Sequence, residues 1–325
     1  MRYICLLGLM TLCAQLQAQA PTLRITVDST LVSLEAIVQD TNARPITNLT
    51  RADFSIYEDG ELQPLSYFAS SHGPRSVLLL MDIMVADEPL MLDAATAFLG
   101  TLRSQDRLLI AAFDRDLRIA LNWQPTRIGL LRDVRMPAFP LRAEMQATTR
   151  MYGSLEEATR LFRNETGLKE IVVITNGRDS ELDRQMLRLG EPLGIPDDRD
   201  FNKHLETLKR AQIPIYFVAM GTDRNGGILH PAWYPDHKMK NAFLAGVRVR
   251  MEKLAEATGG QISFPRNVGD VVPMYRKLGI DLGISYKLGY TPHNSVPNKK
   301  PRHIEVRVRA ESLHVWQSRT EYSIP

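Results

Sequence analysis

A carboxylate at position 82 follows one of the most apolar stretches of the sequence. Five consecutive apolar residues, Val77–Met81, precede Asp82. An unbroken apolar run that ends in a turn predicts a strand buried on both faces, as in the middle of a parallel sheet. Open α/β sheets bind their ligands at the carboxyl ends of the strands. Asp82 is therefore a candidate ligand-binding residue.

A second group of residues that could ligate a metal lies in the segment 221–241. Its two histidines have prolines between them, and this spacing corresponds to no known zinc pattern. A long loop in an α/β domain is often functional, and aromatic residues are common at protein interfaces. Two interpretations stay open, a surface loop that packs or contacts a partner and an enzymatic site. The residues concerned are His230, Trp233, Tyr234, Asp236 and His237.

Other signatures of catalysis or nucleotide binding are missing from the sequence. Gly221–Gly227 has several glycines but lacks the Lys and Ser/Thr of a phosphate-binding loop. A nucleophile elbow of the form G-x-S-x-G does not occur. The acids Asp197, Asp198 and Asp200 surround Arg199, which favours a solvated helix start over a cation site.

The elements that must position Asp82 follow an alternating order. Between residues 76 and about 280, buried strand patterns are separated by helical ones, which predicts βαβ units in a doubly wound, mainly parallel sheet. The predicted strands are 77–82, 107–114, 117–123, 169–175, 213–219 and 261–264. The predicted helices are 90–102, 149–163, 201–211, 243–257 and 271–282.

Both ends of the chain have short alternating strands with polar turns between them. Each end has too few strands for a stable sandwich, and pairing the two ends would satisfy the open edges of both. We therefore predict a small Ig-like β-sandwich with the α/β domain inserted into it. The predicted units are 1–20, a signal peptide; 21–72, the first half of the sandwich; 73–282, the α/β domain; and 283–325, the second half.

The order of motifs along the chain resembles that of bacterial envelope proteins with a VWFA-related domain, described mainly from Acidobacteria. This resemblance implies that the α/β unit is a von Willebrand factor type A domain with a Rossmann-like sheet. The matching motifs are Leu49-Thr50, Asp53–Gly60, Gln63, Val77–Asp82, Thr149, Tyr152, Ile174–Asp179, Tyr286–Tyr290 and His303–Val306.

The resemblance also implies a metal-ion-dependent adhesion site, in which a D-x-S-x-S sequence, a Thr and a further Asp hold a divalent cation. Asp82 and Thr149 match that pattern. Met84 and Ala86 stand at the two serine positions, and Asn176 stands at the position of the second Asp. Since Mg²⁺ requires hard oxygen ligands, we predict a degenerate site without a cofactor. The alternative is a Mg²⁺ or Ca²⁺ ion on the oxygens of Asp82, Thr149 and Asn176.

Further charged residues flank these motifs. Asp87 and Asp179 would either compensate for the missing ligands or be exposed loop residues. Arg142 and Arg150 would pair directly with an acidic residue of a partner. The predicted partner-binding surface, at the top of the sheet, comprises Asp82, Met84, Ala86, Asp87, Thr149, Arg150, Asn176 and Asp179.

The composition and the amino-terminal segment indicate in which compartment the protein is located. Hydrophobic residues make up 44% and charged residues 24% of the chain, as in globular proteins, and the net charge of +3 is too small for a nucleic-acid footprint. Residues 1–20 have the pattern of a cleavable export signal, and both cysteines, Cys5 and Cys13, lie within it. We therefore expect an exported protein in the periplasm, at the cell surface or secreted.

The function predicted from the sequence is a non-enzymatic protein–protein interaction or adhesion-type module of the bacterial envelope that works without a metal. Two alternatives stay open. One is an enzyme or enzyme subunit that uses the segment 221–241, and the other is a purely structural component of the envelope.

Overall fold

The structure is a computed structural model that describes most of the 325 residues. The described ranges are 31–42, 44–70, 73–84, 88–127, 130, 149–183, 198–220, 237–294 and 300–322. The predicted signal peptide and the segment 221–236, with its His230 and Asp236, lie outside these ranges.

Among the described residues, fourteen strands and five α-helices follow one another along the chain. The strands are β1 Val32–Gln39, β2 Phe54–Glu58, β3 Glu61–Gln63, β4 Leu65–Ser70, β5 Arg75–Asp82, β6 Arg107–Phe113, β7 Leu117–Pro125, β8 Leu168–Thr175, β9 Ile215–Ala219, β10 Ile262–Ser263, β11 Tyr286–Tyr290, β12 Arg302–Val308, β13 His314–Gln317 and β14 Glu321–Tyr322. The helices are α1 Glu88–Leu99, α2 Met151–Arg160, α3 Arg199–Ala211, α4 His237–Thr258 and α5 Val271–Ile284.

A six-stranded sheet in the order β10-β9-β8-β5-β6-β7 forms the α/β unit. All neighbouring strands in it are parallel except β6 and β7, which form an antiparallel hairpin. From the central strand β5, the chain first builds one side of the sheet and then crosses back to build the other. This is the doubly wound strand order, with its topological switch point between β5 and β8.

Strand β5 is buried along its whole length because helices cover both faces of the sheet. Successive side chains of a strand point to opposite faces. Leu78 and Leu80 accordingly pack with α2, α3 and α4, while Val77, Leu79 and Met81 pack with α1 and α5. A strand with two covered faces needs a continuous apolar sequence, which is why its position could be read from the residues.

The two ends of the chain form two four-stranded antiparallel sheets, ordered β13-β1-β11-β4 and β14-β12-β2-β3. Each combines strands from before and after the α/β unit, as β1 pairs with β11 and β2 pairs with β12. The sheets share one apolar core that includes Leu34, Phe54, Tyr286 and Ile304. The α/β unit is thus inserted between two halves of one β-structure. It ends with α5 at Ile284, two residues beyond the predicted boundary at 282.

None of the helices in the described part of the chain is long and apolar enough to cross a membrane.

Candidate functional site

Asp82 lies at the topological switch point, the place where doubly wound sheets bind ligands. It ends β5, and Thr175 ends the neighbouring strand β8. The hydroxyl of Thr175 donates a hydrogen bond of 2.7 Å to Oδ2 of Asp82. The backbone N–H of Met84 donates to Oδ1 at 3.0 Å. Both carboxylate oxygens therefore accept hydrogen bonds from the chain itself, and only 1% of the residue is exposed.

The electrostatic state of Asp82 is unusual for an aspartate. Burial raises the pKa of its carboxyl group to about 7, against the hydrogen bonds from Thr175 and Met84 and the charge of Arg178, which lower it. The charge of Asp114 adds to the rise. Desolvation disfavours the charged form of a buried acid unless a nearby cation offsets the loss of hydration. Asp82 is thus a buried carboxyl held mainly by neutral donors.

Thr175 is a residue of this site that the sequence analysis did not single out. Its Oγ1 also accepts a hydrogen bond from the N–H of Gly177 at 3.0 Å, and the sulfur of Met151 lies 3.8 Å away. Gly177 adopts a φ of +78°, and an added Cβ would come within 2.2 Å of the sulfur of Met251. Only glycine fits this turn. The adjacency of β5 and β8 is the signal that identifies Thr175 as the partner of Asp82.

Thr149, the predicted hydroxyl ligand, is also buried. Its backbone is tied to Ser180 by two hydrogen bonds, of 2.9 Å from its N–H to the Ser180 hydroxyl and of 2.8 Å from the Ser180 N–H to its carbonyl. Its Oγ1 has no hydrogen-bond partner among the described residues. A buried hydroxyl of this kind is a position where a ligand or water could bind.

Asn176 and Asp179 are buried and serve the local backbone. The Asn176 side-chain oxygen accepts the N–H of Arg178 at 3.1 Å. Asp179 accepts the N–H of Tyr152 at 3.2 Å, near the start of α2, and that of Glu181 at 3.1 Å. Burial raises the pKa of Asp179, against these backbone hydrogen bonds, which lower it. Both side chains thus fix the loop after β8.

The remaining predicted surface residues differ in their exposure. Arg150 is exposed, and its guanidinium lies over Gly153, where an added Cβ would be 3.0 Å from Nη2. Met84 is half-buried. Ala86, Asp87 and Arg142 lie outside the described residues. Of the predicted partner-binding surface, Arg150 is thus the exposed member among the described residues, and the others are buried or partly so.

A second group of buried charges lies beside this loop. Asp183 pairs with Arg178 at 3.1 Å, and Asp198 accepts from Nε of Arg250 at 2.8 Å. Burial raises the pKa of Asp183 to about 6, against the charge and hydrogen bond of Arg178, which lower it. Asp198 also caps α3, accepting the N–H of Phe201 at 3.1 Å. The prediction of a helix start holds, but solvation of Asp198 was wrong, since Arg250 neutralises it in the interior.

The described residues around Asp82 provide fewer oxygen ligands than a hard divalent cation usually has. Mg²⁺ requires near-ideal octahedral oxygen coordination, usually with one or two carboxylates. Here both oxygens of Asp82 are engaged by Thr175 and Met84, and the sulfur of Met151 faces the bridging hydroxyl. The orphaned hydroxyl of Thr149 is the one observation in favour. The described part of the chain contains no cluster of three or more His, Cys, Asp or Glu side chains able to hold a metal.

Neither a protein-family model nor a curated protein matches this sequence. Among solved structures, a von Willebrand factor type A protein from Catenulispora acidiphila matches with a TM-score of 0.45 at 10% identity, over 92% of this chain and 74% of that one. An aerotolerance-related membrane protein from Bacteroides fragilis matches with a TM-score of 0.40 at 15% identity, over 62% and 96%.

A third similar structure, the ArnB paralog VWA2 from Sulfolobus acidocaldarius, gives a TM-score of 0.38 at 10% identity, over 91% of this chain and 75% of that one. All three TM-scores lie below 0.5. The α/β fold assignment therefore stands on the strand order and pairing of the chain itself.

Proposed function

We propose that this protein is a von Willebrand type A-like interaction module of the bacterial envelope, which binds a protein partner through the top of its central sheet without a bridging metal. The proposed binding surface consists of the exposed residues around the switch point, Arg115, Asp116 and Arg150. In this proposal the buried residues Asp82, Thr149, Asn176 and Asp179 hold the loops that present that surface. The protein is not an enzyme in this proposal.

The hydrogen bonding of Asp82 is the observation that carries this proposal. A carboxylate that bridges to a partner through a metal must present an oxygen to a cation at the surface. In this chain each oxygen of Asp82 already accepts a hydrogen bond, from the Thr175 hydroxyl or the Met84 N–H, and the residue is 1% exposed. Since Asp82 is buried, the exposed guanidinium of Arg150 is the group better placed to meet an acidic partner residue directly, by charge-assisted hydrogen bonds.

Site-specific photo-crosslinking in the producing cells tests this function. The crosslinking residue p-benzoylphenylalanine replaces Arg150 at the top of the sheet or, as a matched control, the exposed Asn164 just before β8 at the opposite edge. We expect a discrete crosslinked product from position 150 that persists in EDTA. Arg115→Glu should weaken that product, since it reverses a charge on the same surface.

Three outcomes would overturn the proposal. Products of equal size and yield from both positions would mean that the top of the sheet is not a specific surface. A product that requires added Mg²⁺ or Ca²⁺ would restore the metal-dependent mode. No product from either position would favour a purely structural component.

A further inference from the structure

A cavity of 690 Å³ lies on the opposite side of the α/β unit from Asp82. Its walls combine the sheet β1-β11-β4 of the sandwich with the amino-terminal edge of the central sheet and the carboxyl-terminal ends of α3 and α4. Strand β5 runs between the two edges, so the cavity is roughly 20 Å from Asp82. Small-molecule sites often occupy clefts of this size between structural units.

Positive charge dominates the cavity. Its lining includes four basic side chains, Lys169, Lys209, Arg210 and Lys287, and one carboxylate, Glu206. This imbalance contrasts with the chain as a whole, where 40 basic residues face 37 acidic ones. A concave surface of one sign concentrates ligands of the opposite sign.

Two of these cations are already engaged. Lys169 donates to the carbonyl of Phe162 at 3.0 Å, where it caps the end of α2. Lys287 pairs with Glu170 at 3.3 Å and with Glu35. The side chains of Lys209 and Arg210, in the last turn of α3, have no hydrogen-bond or ion-pair partner among the described residues. Their charges interact favourably with the negative end of that helix dipole. Glu206, one turn earlier on the helix, is the acid nearest to them in the lining and forms no ion pair with either.

The lining also has apolar residues. They are Leu31, Leu168 and Pro214, together with Tyr67, which is 42% exposed. An exposed aromatic ring beside a recess is a common contact for the apolar part of a ligand. The cavity thus combines apolar lining residues with a cationic rim.

We propose that this cavity binds a small organic anion with an apolar body. The anionic group pairs with Lys209 and Arg210, and the body packs against Tyr67 and Leu31. Such a ligand contacts both the sandwich and the α/β unit, so its binding stabilises the folded arrangement of the two. This site is independent of the proposed partner surface, because it uses none of the residues at the top of the sheet.

Isothermal titration with a matched pair of probes tests this inference. The probes are 3-phenylpropanoate and 3-phenylpropan-1-ol, which share an apolar body and differ in the anionic group. For a probe of this size we expect the carboxylate to bind saturably, with a Kd in the low millimolar range. We expect the alcohol to bind at least about tenfold more weakly, because it cannot pair with the two cations.

The protein variants are matched in the same way. Lys209→Glu with Arg210→Glu reverses the two charges at the rim and should weaken the carboxylate at least about tenfold. The control, Arg199→Glu with Lys203→Glu, makes the same charge change on exposed residues at the other end of α3. It should bind the carboxylate like the unaltered protein.

Several results would overturn the inference. Equal binding of acid and alcohol would show that the cationic rim is not used. Equal loss in both double variants would show an effect of net charge alone. Absence of saturable binding by either probe would mean that the cavity does not accept a ligand of this class. The circular dichroism spectrum of each variant confirms that it is folded.

Discussion

Strand β5 buries a charged group at each of its ends, and the two ends neutralise it differently. At the carboxyl end, Asp82 is held by a hydroxyl and a backbone N–H. At the amino end, Arg75 donates to Asp106 at 2.6 Å and lies 3.4 Å from Glu170. Glu170 in turn contacts Lys287 of the sandwich strand β11.

The pKa shifts of Asp106 and Asp82 differ accordingly, whereas burial raises the pKa of Glu170 at the amino end to about 7, against the charge of Arg75. Burial would raise the pKa of Asp106, but the hydrogen bonds and charge of Arg75, with those of Arg103, hold it below its ordinary value. At the other end no cation touches Asp82 among the described residues, and its pKa rises to about 7. The amino end joins the terminal β-sheets to the α/β unit through this buried charge cluster, here called the ionic joint, in which burial lowers the pKa of Lys287 well below its ordinary value. The carboxyl end keeps an acid that is half protonated near neutral pH.

The largest expected effect comes from breaking the ionic joint. Arg75→Met removes the buried cation that Asp106 and Glu170 share, and leaves Asp106 with Arg103 and Glu170 with Lys287. It should lower the free energy of unfolding by about 3–5 kcal/mol. Urea unfolding measures this loss. The control is Arg307→Met, which breaks a 2.7 Å pair with Glu305 in which the two side chains are 55% and 44% exposed. It should cost less than about 1 kcal/mol. Equal losses would contradict the contrast between a buried joint and a surface pair.

Removing the neutral hydrogen-bond donor at the carboxyl end of β5 should lower the free energy of unfolding by a smaller amount. Thr175→Val keeps the shape of the side chain but deletes the hydroxyl that donates to Asp82. We expect a loss of about 1–3 kcal/mol at pH 8, because a buried acceptor loses its partner. The control Thr96→Val deletes an exposed hydroxyl on α1 that bonds only its own helix, and it should change stability little. A loss no larger than that of the control would mean that Asp82 does not depend on Thr175.

The pH dependence of stability follows the buried acids whose pKa is raised, and these lie at both ends of β5. The folded-state pKa of Asp82, about 7, exceeds its ordinary value of 3.8, so the folded state holds a proton that the unfolded state has released. Stability therefore falls as the pH rises from about 4 towards 7, by up to about 1.4 kcal/mol for each pH step of one. Glu170 and Asp183, with pKa values raised to about 7 and about 6, act in the same direction.

Asp82→Asn removes one of these titrations. The variant should gain stability relative to the unaltered protein as the pH rises from 5 to 8, measured by thermal melts across that range. Asp116→Asn, on an exposed residue of the β6–β7 turn, serves as the control and should follow the unaltered protein. If Tm changed with pH in the same way in all three proteins, Asp82 would be ionised throughout this range. The contrast between the pKa values of Asp82 and Asp106 would then be wrong.

The smallest expected effect is that of divalent cations. A ligand that binds only the folded state at a hundredfold excess over its Kd would stabilise it by about 2.7 kcal/mol. We expect no change in Tm between EDTA and millimolar Mg²⁺, Ca²⁺ or Mn²⁺, because the oxygens of Asp82 are engaged. A rise in Tm that disappears in Asp82→Ala would show that a cation displaces Thr175 and Met84. It would also refute the metal-free part of the proposed function.

Much of the architecture could be predicted because it rests on local patterns. The apolar run before Asp82 predicted a strand with two covered faces, and the open edges of the strands at both ends of the chain predicted that these strands pair with each other. The partner of Asp82 was harder to predict. The resemblance pointed to Asn176 as the ligand position, and Thr175 is the residue before it. Because the side chains of adjacent residues in an extended chain point in opposite directions, a prediction for Asn176 does not extend to Thr175.

The sequence by itself determined which segments are strands and helices and where the α/β unit is inserted, because hydrophobic periodicity depends on residues close in the chain. Only the tertiary structure decided how the buried charges are neutralised. Arg75, Glu170 and Lys287 meet across separations of about a hundred residues, and no local pattern records such a contact. The cavity and the state of Asp82 arise in the same way, since burial and neighbouring charge belong to the packed molecule and not to the segment.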